Sequence, residues 1–210
     1  MNLDELLHLA ESPPLVRADA VDVQPVLRLH GQRLLYLRLN LPPEPQAYLN
    51  TLTAFLLTRT DLVYPVGIRL PDWLLHGDGL AALLGMLLGS QGLSQRSLWI
   101  ETRPEPALFQ PFMDVGKQRF MQPVLRLASA DDLERLAGFE QHWVLLDRWV
   151  WEEGYCNCGQ IMNPFIVDGV DTSAQMVRLH DLGALAYAGE MARRKAAVAS
   201  TFAVGGNYES

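Results

Sequence analysis

Leucines at 80, 83, 84, 87 and 88 recur at the i, i+3, i+4, i+7 and i+8 spacing of one buried helical stripe. The polar turn His76-Gly77-Asp78-Gly79 precedes them and predicts a helix start near Asp78. Before that turn, the apolar run Tyr64 to Leu70 has the length and β-branched content of a short buried strand. The unit reads strand, loop, helix. Its loop lies at the strand's carboxyl end and opens onto free helix amides, where α/β folds place ligand or partner chemistry.

The same pattern extends the unit on both sides. Val26 to His30 and Leu34 to Leu39 alternate about Gly31-Gln32-Arg33, which predicts a β-hairpin. Pro42-Pro43-Glu44-Pro45 ends it, and Tyr48, Leu52, Phe55 and Leu56 predict a helix reaching about Asp61. Downstream come a strand over Leu98 to Glu101, a helix opened by Pro104-Glu105-Pro106, and a strand over Pro123 to Leu127. Ser129-Ala130-Asp131-Asp132-Leu133 is a capped helix start. Helices between strands predict an α/β fold with a mixed, mainly parallel sheet. Residues 1–21 are expected as an N-terminal arm, residues 22–139 as the domain, and residues 140–210 as a C-terminal strand and helix extension.

In that last segment, period-two spacing from His142 to Trp151 predicts one strand with Trp143, Leu145, Asp147, Trp149 and Trp151 on a shared face. Trp149 and Trp151 are candidate partner-binding residues, because tryptophan is enriched among binding hot spots. Phe165-Ile166-Val167 predicts a short strand. From about Thr172 a long helix is expected, with Met176, Leu179, Leu182, Leu185 and Ala186 apolar and Arg193-Arg194-Lys195 at its basic end. An apolar face of this kind is expected to be covered by packing on the domain or on a second copy, as in a homodimer.

Charge and composition narrow the function. The 210-residue chain is 49% hydrophobic with a net charge of -7, which disfavours nonspecific nucleic-acid or anionic-membrane binding. No apolar run approaches a membrane span, and the first residues lack the basic start of a signal peptide, so a cytoplasmic location is expected. Cys156 and Cys158 form a single C-x-C pair, whereas structural zinc sites need four ligands, so no metal or cofactor is expected. The five histidines show no metal-ligand spacing, and no G-x-S-x-G or P-loop occurs, so no catalytic residues are assigned.

The order of elements, the Gly79-Leu80-Ala81-Ala82-Leu83-Leu84 helix start, the strand Leu98 to Glu101 before Pro106-Ala107-Leu108-Phe109, and the closing Leu127 to Leu133 segment together resemble a STAS domain. That resemblance implies a non-catalytic, anti-sigma-factor-antagonist-like regulatory module that binds a protein partner. A GHKL-type kinase, a stressosome subunit or a transporter component is the implied kind of partner. The implied contact loop is His76, Gly77, Asp78 and Gly79, with Gly77 in place of the phosphoacceptor serine of kinase-switched members. The competing reading is a small α/β enzyme or metal-binding protein using His76 and Asp78, or Cys156 and Cys158. On the first reading the chain is not an enzyme.

Overall fold

The computed structural model describes residues 21–58, 64–74, 83, 98–105, 121–136, 139, 141–152 and 161–204. Its strands are β1 (Asp22–Arg28), β2 (Leu34–Asn40), β3 (Val66–Arg69), β4 (Leu98–Thr102), β5 (Met121–Leu127), β6 (Trp143–Leu146), β7 (Phe165–Val167) and β8 (Ala186–Tyr187). The helices between and after them are α1 (Pro45–Thr58), α2 (Ala130–Glu134), α3 (Arg148–Glu152), α4 (Ser173–Leu182) and α5 (Glu190–Val204). Hydrogen bonding runs in sequence order from β1 to β8 and closes on itself as an eight-stranded barrel. This overturns the open STAS-like sheet with a C-terminal extension: β6, β7 and β8, all from residues 140–210, are staves of the barrel. Closure removes the free sheet edges that an open sheet must protect. It depends on β1 pairing antiparallel with β8, Leu27 opposite Tyr187, a contact far too distant in sequence to leave a local signature.

The chain divides into two compact units, residues 1–23 with 38–123, and residues 24–37 with 124–210. In the first, β3 and β4 run parallel with Val66, Gly67, Ile68 and Arg69 opposite Leu98, Trp99, Ile100 and Glu101. Val66, Ile68, Leu98, Ile100 and Leu39 pack with Tyr48, Leu49, Leu52 and Phe55 of α1 in one core. The apolar stripe expected on α1 is therefore its buried face. Because side chains alternate along a strand, Arg38, Gly67, Arg69, Trp99 and Glu101 occupy the opposite, inner face of the same strands. Trp73, in a short 3-10 turn after β3 (Asp72–Leu74), donates from Nε1 to the Pro43 carbonyl at 2.8 Å and meets Tyr48 edge-on at 5.6 Å.

In the second unit β5, β6, β7 and β8 are successively parallel. The predicted cap at Ser129 is present, with its hydroxyl accepting from the Asp132 amide and the Asp132 carboxylate accepting from the Ser129 amide at 2.8 Å. The strand expected to run to Trp151 stops at Leu146, and Arg148–Glu152 forms α3 instead. Asp147 turns the chain, its carbonyl accepting from the Val150 amide at 2.9 Å. The helix begun at Thr172 likewise ends early: Gly183 takes a left-handed φ of 76° and its amide returns to the Leu179 and His180 carbonyls. Ala186, assigned to that helix from the sequence, lies in β8. Arg193-Arg194-Lys195 sits in the first turns of α5, not at a helix end, and Arg194 pairs with Glu190 at 2.9 Å. No helix among the described residues is long and apolar enough to cross a membrane.

Candidate functional site at the carboxyl ends of the strands

In barrels of parallel strands alternating with helices, chemistry sits at the carboxyl ends of the strands, where the loops into the following helices converge. The described strands place charged groups at those ends. In the first unit Glu101, fully buried at the end of β4, accepts from Arg38 Nε at 2.6 Å and from Arg69 Nε at 3.1 Å, one guanidinium on each carboxylate oxygen. Arg38 is also buried, whereas the Arg69 side chain is 35% exposed. Arg69 is held from its backbone as well, because the Tyr48 hydroxyl donates to its carbonyl at 3.0 Å and burial pushes the Tyr48 pKa up. Trp99 is in register with Gly67, two residues before the Arg69–Glu101 pair along the two strands.

The second unit repeats the theme with different residues. Arg126 of β5 grips Asp147, just past β6, in a bidentate pair at 3.0 and 2.5 Å. Beyond it, Arg148 donates to Glu152 and to Asp171, each at 2.8 Å, and Gln175 donates to Glu152. Arginine and the Gln175 hydrogen bond hold Glu152 below the usual carboxylate range. Asp171 also accepts the Glu190 amide at 3.1 Å. This network ties the loops after β6, β7 and β8 together. Tyr187, at the end of β8, is buried with a hydroxyl that finds no hydrogen-bond partner among the described residues, and burial raises its pKa.

The sequence-selected residues fall differently. His76, Gly77, Asp78 and Gly79, together with Cys156 and Cys158, lie outside the described residues; in chain order the first four follow β3 and its short turn. Trp149 is 38% exposed, as a surface contact requires. Trp151 is 1% exposed, donates from Nε1 to the Asp168 carbonyl at 2.9 Å, and has the Arg178 guanidinium 6.0 Å from its ring, so it is a packing residue. Arg38, Arg69, Glu101, Arg126 and Asp147 were not singled out from the sequence. Their signal was present as charges set inside apolar strands, in Leu37-Arg38-Leu39, Ile68-Arg69-Leu70, Ile100-Glu101 and Leu125-Arg126-Leu127. In an open sheet such charges read as a solvated face; here Arg38, Arg69 and Glu101 lie on the face opposite the α1 core.

No family model and no curated protein matches this sequence. Solved structures do. An EAL-domain protein from Listeria monocytogenes EGD-e superposes with a TM-score of 0.56 at 12% identity, covering 89% of each chain. The PaMucR phosphodiesterase, in complex with c-di-GMP, gives 0.53 at 15% identity over 88% of this chain and 94% of its own. Klebsiella pneumoniae BlrP1, in a manganese and cyclic-di-GMP complex, gives 0.56 at 16% identity over 80% of this chain and 53% of its own. The fold is thus of the EAL, TIM-barrel type. The STAS resemblance, and the anti-sigma-antagonist role and non-enzymatic character drawn from it, fall with the sheet topology that supported them.

Proposed function

We propose that this chain is a cyclic-dinucleotide module of the phosphodiesterase type. It takes c-di-GMP or a close analogue at the carboxyl ends of its parallel strands and presents the phosphodiester linkage there for hydrolysis. The observation that carries this reading is the superposition over 80–89% of the chain on EAL-type barrels, two of them described with the cyclic dinucleotide. The arginines of the Arg38–Glu101–Arg69 cluster support it, because guanidinium is suited to planar recognition of a phosphodiester. In chain order His76 and Asp78 come after β3, and this reading gives those two residues the proton-transfer role.

Manganese appears with one of the similar structures, so the donor set for a divalent cation is a fair test of this chain. Among the described residues no group of three or more His, Cys, Asp or Glu converges to hold a metal. Glu101 and Asp147 have both carboxylate oxygens engaged by arginine. The described residues do not fit the cation.

Calorimetric titration with c-di-GMP, alongside chromatographic detection of the ring-opened linear dinucleotide, tests the proposal. Binding with ring opening supports both halves, and His76→Ala should then slow ring opening at least tenfold with little change in binding. Binding without ring opening would reduce the function to recognition. Absence of both would remove it.

A further inference from the structure

Folding brings together two histidines that lie far apart in the sequence. His30 sits in the turn after β1 and His180 in the last turn of α4, and their ring centroids are 5.6 Å apart with the planes tilted by 60°. Both side chains are exposed, and both belong to the same compact unit. Their backbones are anchored. Leu29 and Leu179, the residues just before them, are buried, and the Leu29 amide donates to the Leu185 carbonyl at 2.9 Å, which ties the β1 turn to the segment after α4. The Arg28 amide closes that turn on the Arg33 carbonyl at 2.8 Å, and the Gly183 amide closes α4 on the Leu179 and His180 carbonyls.

The spacing suits a shared ion. A zinc–imidazole bond of about 2.0–2.1 Å puts the ring centre about 3.2 Å from the metal, so two rings at a tetrahedral angle have centres about 5.2 Å apart. The observed 5.6 Å corresponds to an angle of about 120° at the metal. Exposed rings are free to turn about the Cβ–Cγ bond and aim a nitrogen at the ion. Imidazole donors select Zn²⁺, Ni²⁺ or Cu²⁺, whereas Mg²⁺, Ca²⁺ and Mn²⁺ take oxygen. Among the described residues no group of three or more His, Cys, Asp or Glu converges, so water completes the coordination. The pair stands at the amino end of β8, because β1 runs antiparallel to that strand with Arg28 opposite Ala186. The cyclic-dinucleotide reading concerns the carboxyl ends, so the two are independent.

We propose that His30 and His180 form a two-histidine site for a late transition-metal ion, Zn²⁺, Ni²⁺ or Cu²⁺, which clips the β1–β2 turn to the end of α4. Only the folded chain holds these two ligands together, so the bound ion stabilises it. A tilted ring pair at this distance is also an ordinary aromatic contact, which would hold no ion.

The experiment separates the two. Zn²⁺ is titrated into the full native chain, His30→Asn and His180→Asn while the nitrogen–proton correlations of the histidine rings are followed by NMR. The His30 and His180 rings should respond together in the native protein, and in each variant the remaining ring should need at least tenfold more Zn²⁺. Mg²⁺ should move neither ring. Zinc held only by other groups, Cys156 and Cys158 included, leaves both rings unmoved and overturns the proposal, as does a response from one ring alone or a remaining ring that responds in the variants as it does in the native chain. As a second readout, Zn²⁺ should raise the melting temperature of the native protein more than that of either variant; no rise, or an equal rise in all three, overturns the clip.

Discussion

At the scale of single residues, Glu101 is the group whose surroundings are least tolerant. Removing one partner of a buried ion pair costs about 3–5 kcal/mol, because the remaining charge stays in the interior. Arg38→Ala should therefore lower the urea-unfolding free energy by about that amount, whereas Arg69→Ala, a third exposed, should cost about 1 kcal/mol or less. Gly189 is a second such point. Its φ is 125°, and a Cβ there would lie 2.5 Å from the Val170 nitrogen and 2.7 Å from its oxygen, backbone atoms that cannot swing aside. Gly189→Ala should destabilise by about 1–3 kcal/mol or more. Gly183→Ala, with a left-handed φ but open space around it, should cost only about 1 kcal/mol. His142 adds a pH dependence. Partial burial holds its pKa below the ordinary 6.5, so the unfolded chain takes up the proton more readily than the folded one. Its contribution is complete above about pH 6.5 and is lost as pH falls through that value toward the lower folded pKa. Denaturation at pH 7.5 and 5.5 should show a larger loss for the native protein than for His142→Gln. The sequence marks Gly183 and Gly189 only as interruptions of a helix and gives Arg38, Arg69 and Glu101 no role, because burial and close backbone approach are properties of neighbours that only the folded chain supplies.

Elements were more legible. The cores of β1 to β5 and β7 and the starts of α1, α2 and α4 follow from local pattern: alternation, apolar spacing, Pro near α1 and the Ser129 cap. Thr172 closes a full capping box with Gln175, whose side chain accepts the Thr172 amide at 2.9 Å. Thr172→Ala should cost about 1 kcal/mol, read as a lower melting temperature with amide exchange speeding first in α4. The missed elements share a cause. From Trp143 to Trp151 a period-two reading and a strand followed by a one-turn helix both bury Leu145, Asp147 and Trp151, and the second also buries Val144, Leu146 and Val150 and exposes Trp149. The turn at Asp147, held by the Arg126 fork, decides between them. The continuation through Gly183 into Ala186 also looks helical by spacing, but the left-handed glycine lets the chain reverse and supply β8.

For the whole molecule, β8 is what closes the barrel, and it is only two residues long. A chain cut after Phe139 lacks β6, β7 and β8 and leaves sheet edges bare, so it should show no cooperative thermal transition and should scatter light as an aggregate. The sequence argument for a homodimer rested on an apolar extension needing cover. Of that face Leu179 and Ala186 are buried while Leu185 is 44% exposed, and light scattering of the full chain is the measurement that tests the dimer. By itself the sequence determined that the chain is globular, that strands alternate with helices, and where most of those elements lie, because propensity, capping and periodicity act over a few residues. Tertiary structure alone decided that the sheet closes and which way its charges face. Strands buried on both sides carry no alternation to tell inside from outside, and the pairing of Leu27 with Tyr187 joins residues from opposite ends of the described chain. With closure, Arg38, Arg69 and Glu101 became an interior charged cluster, and the function proposed for this protein moved with them.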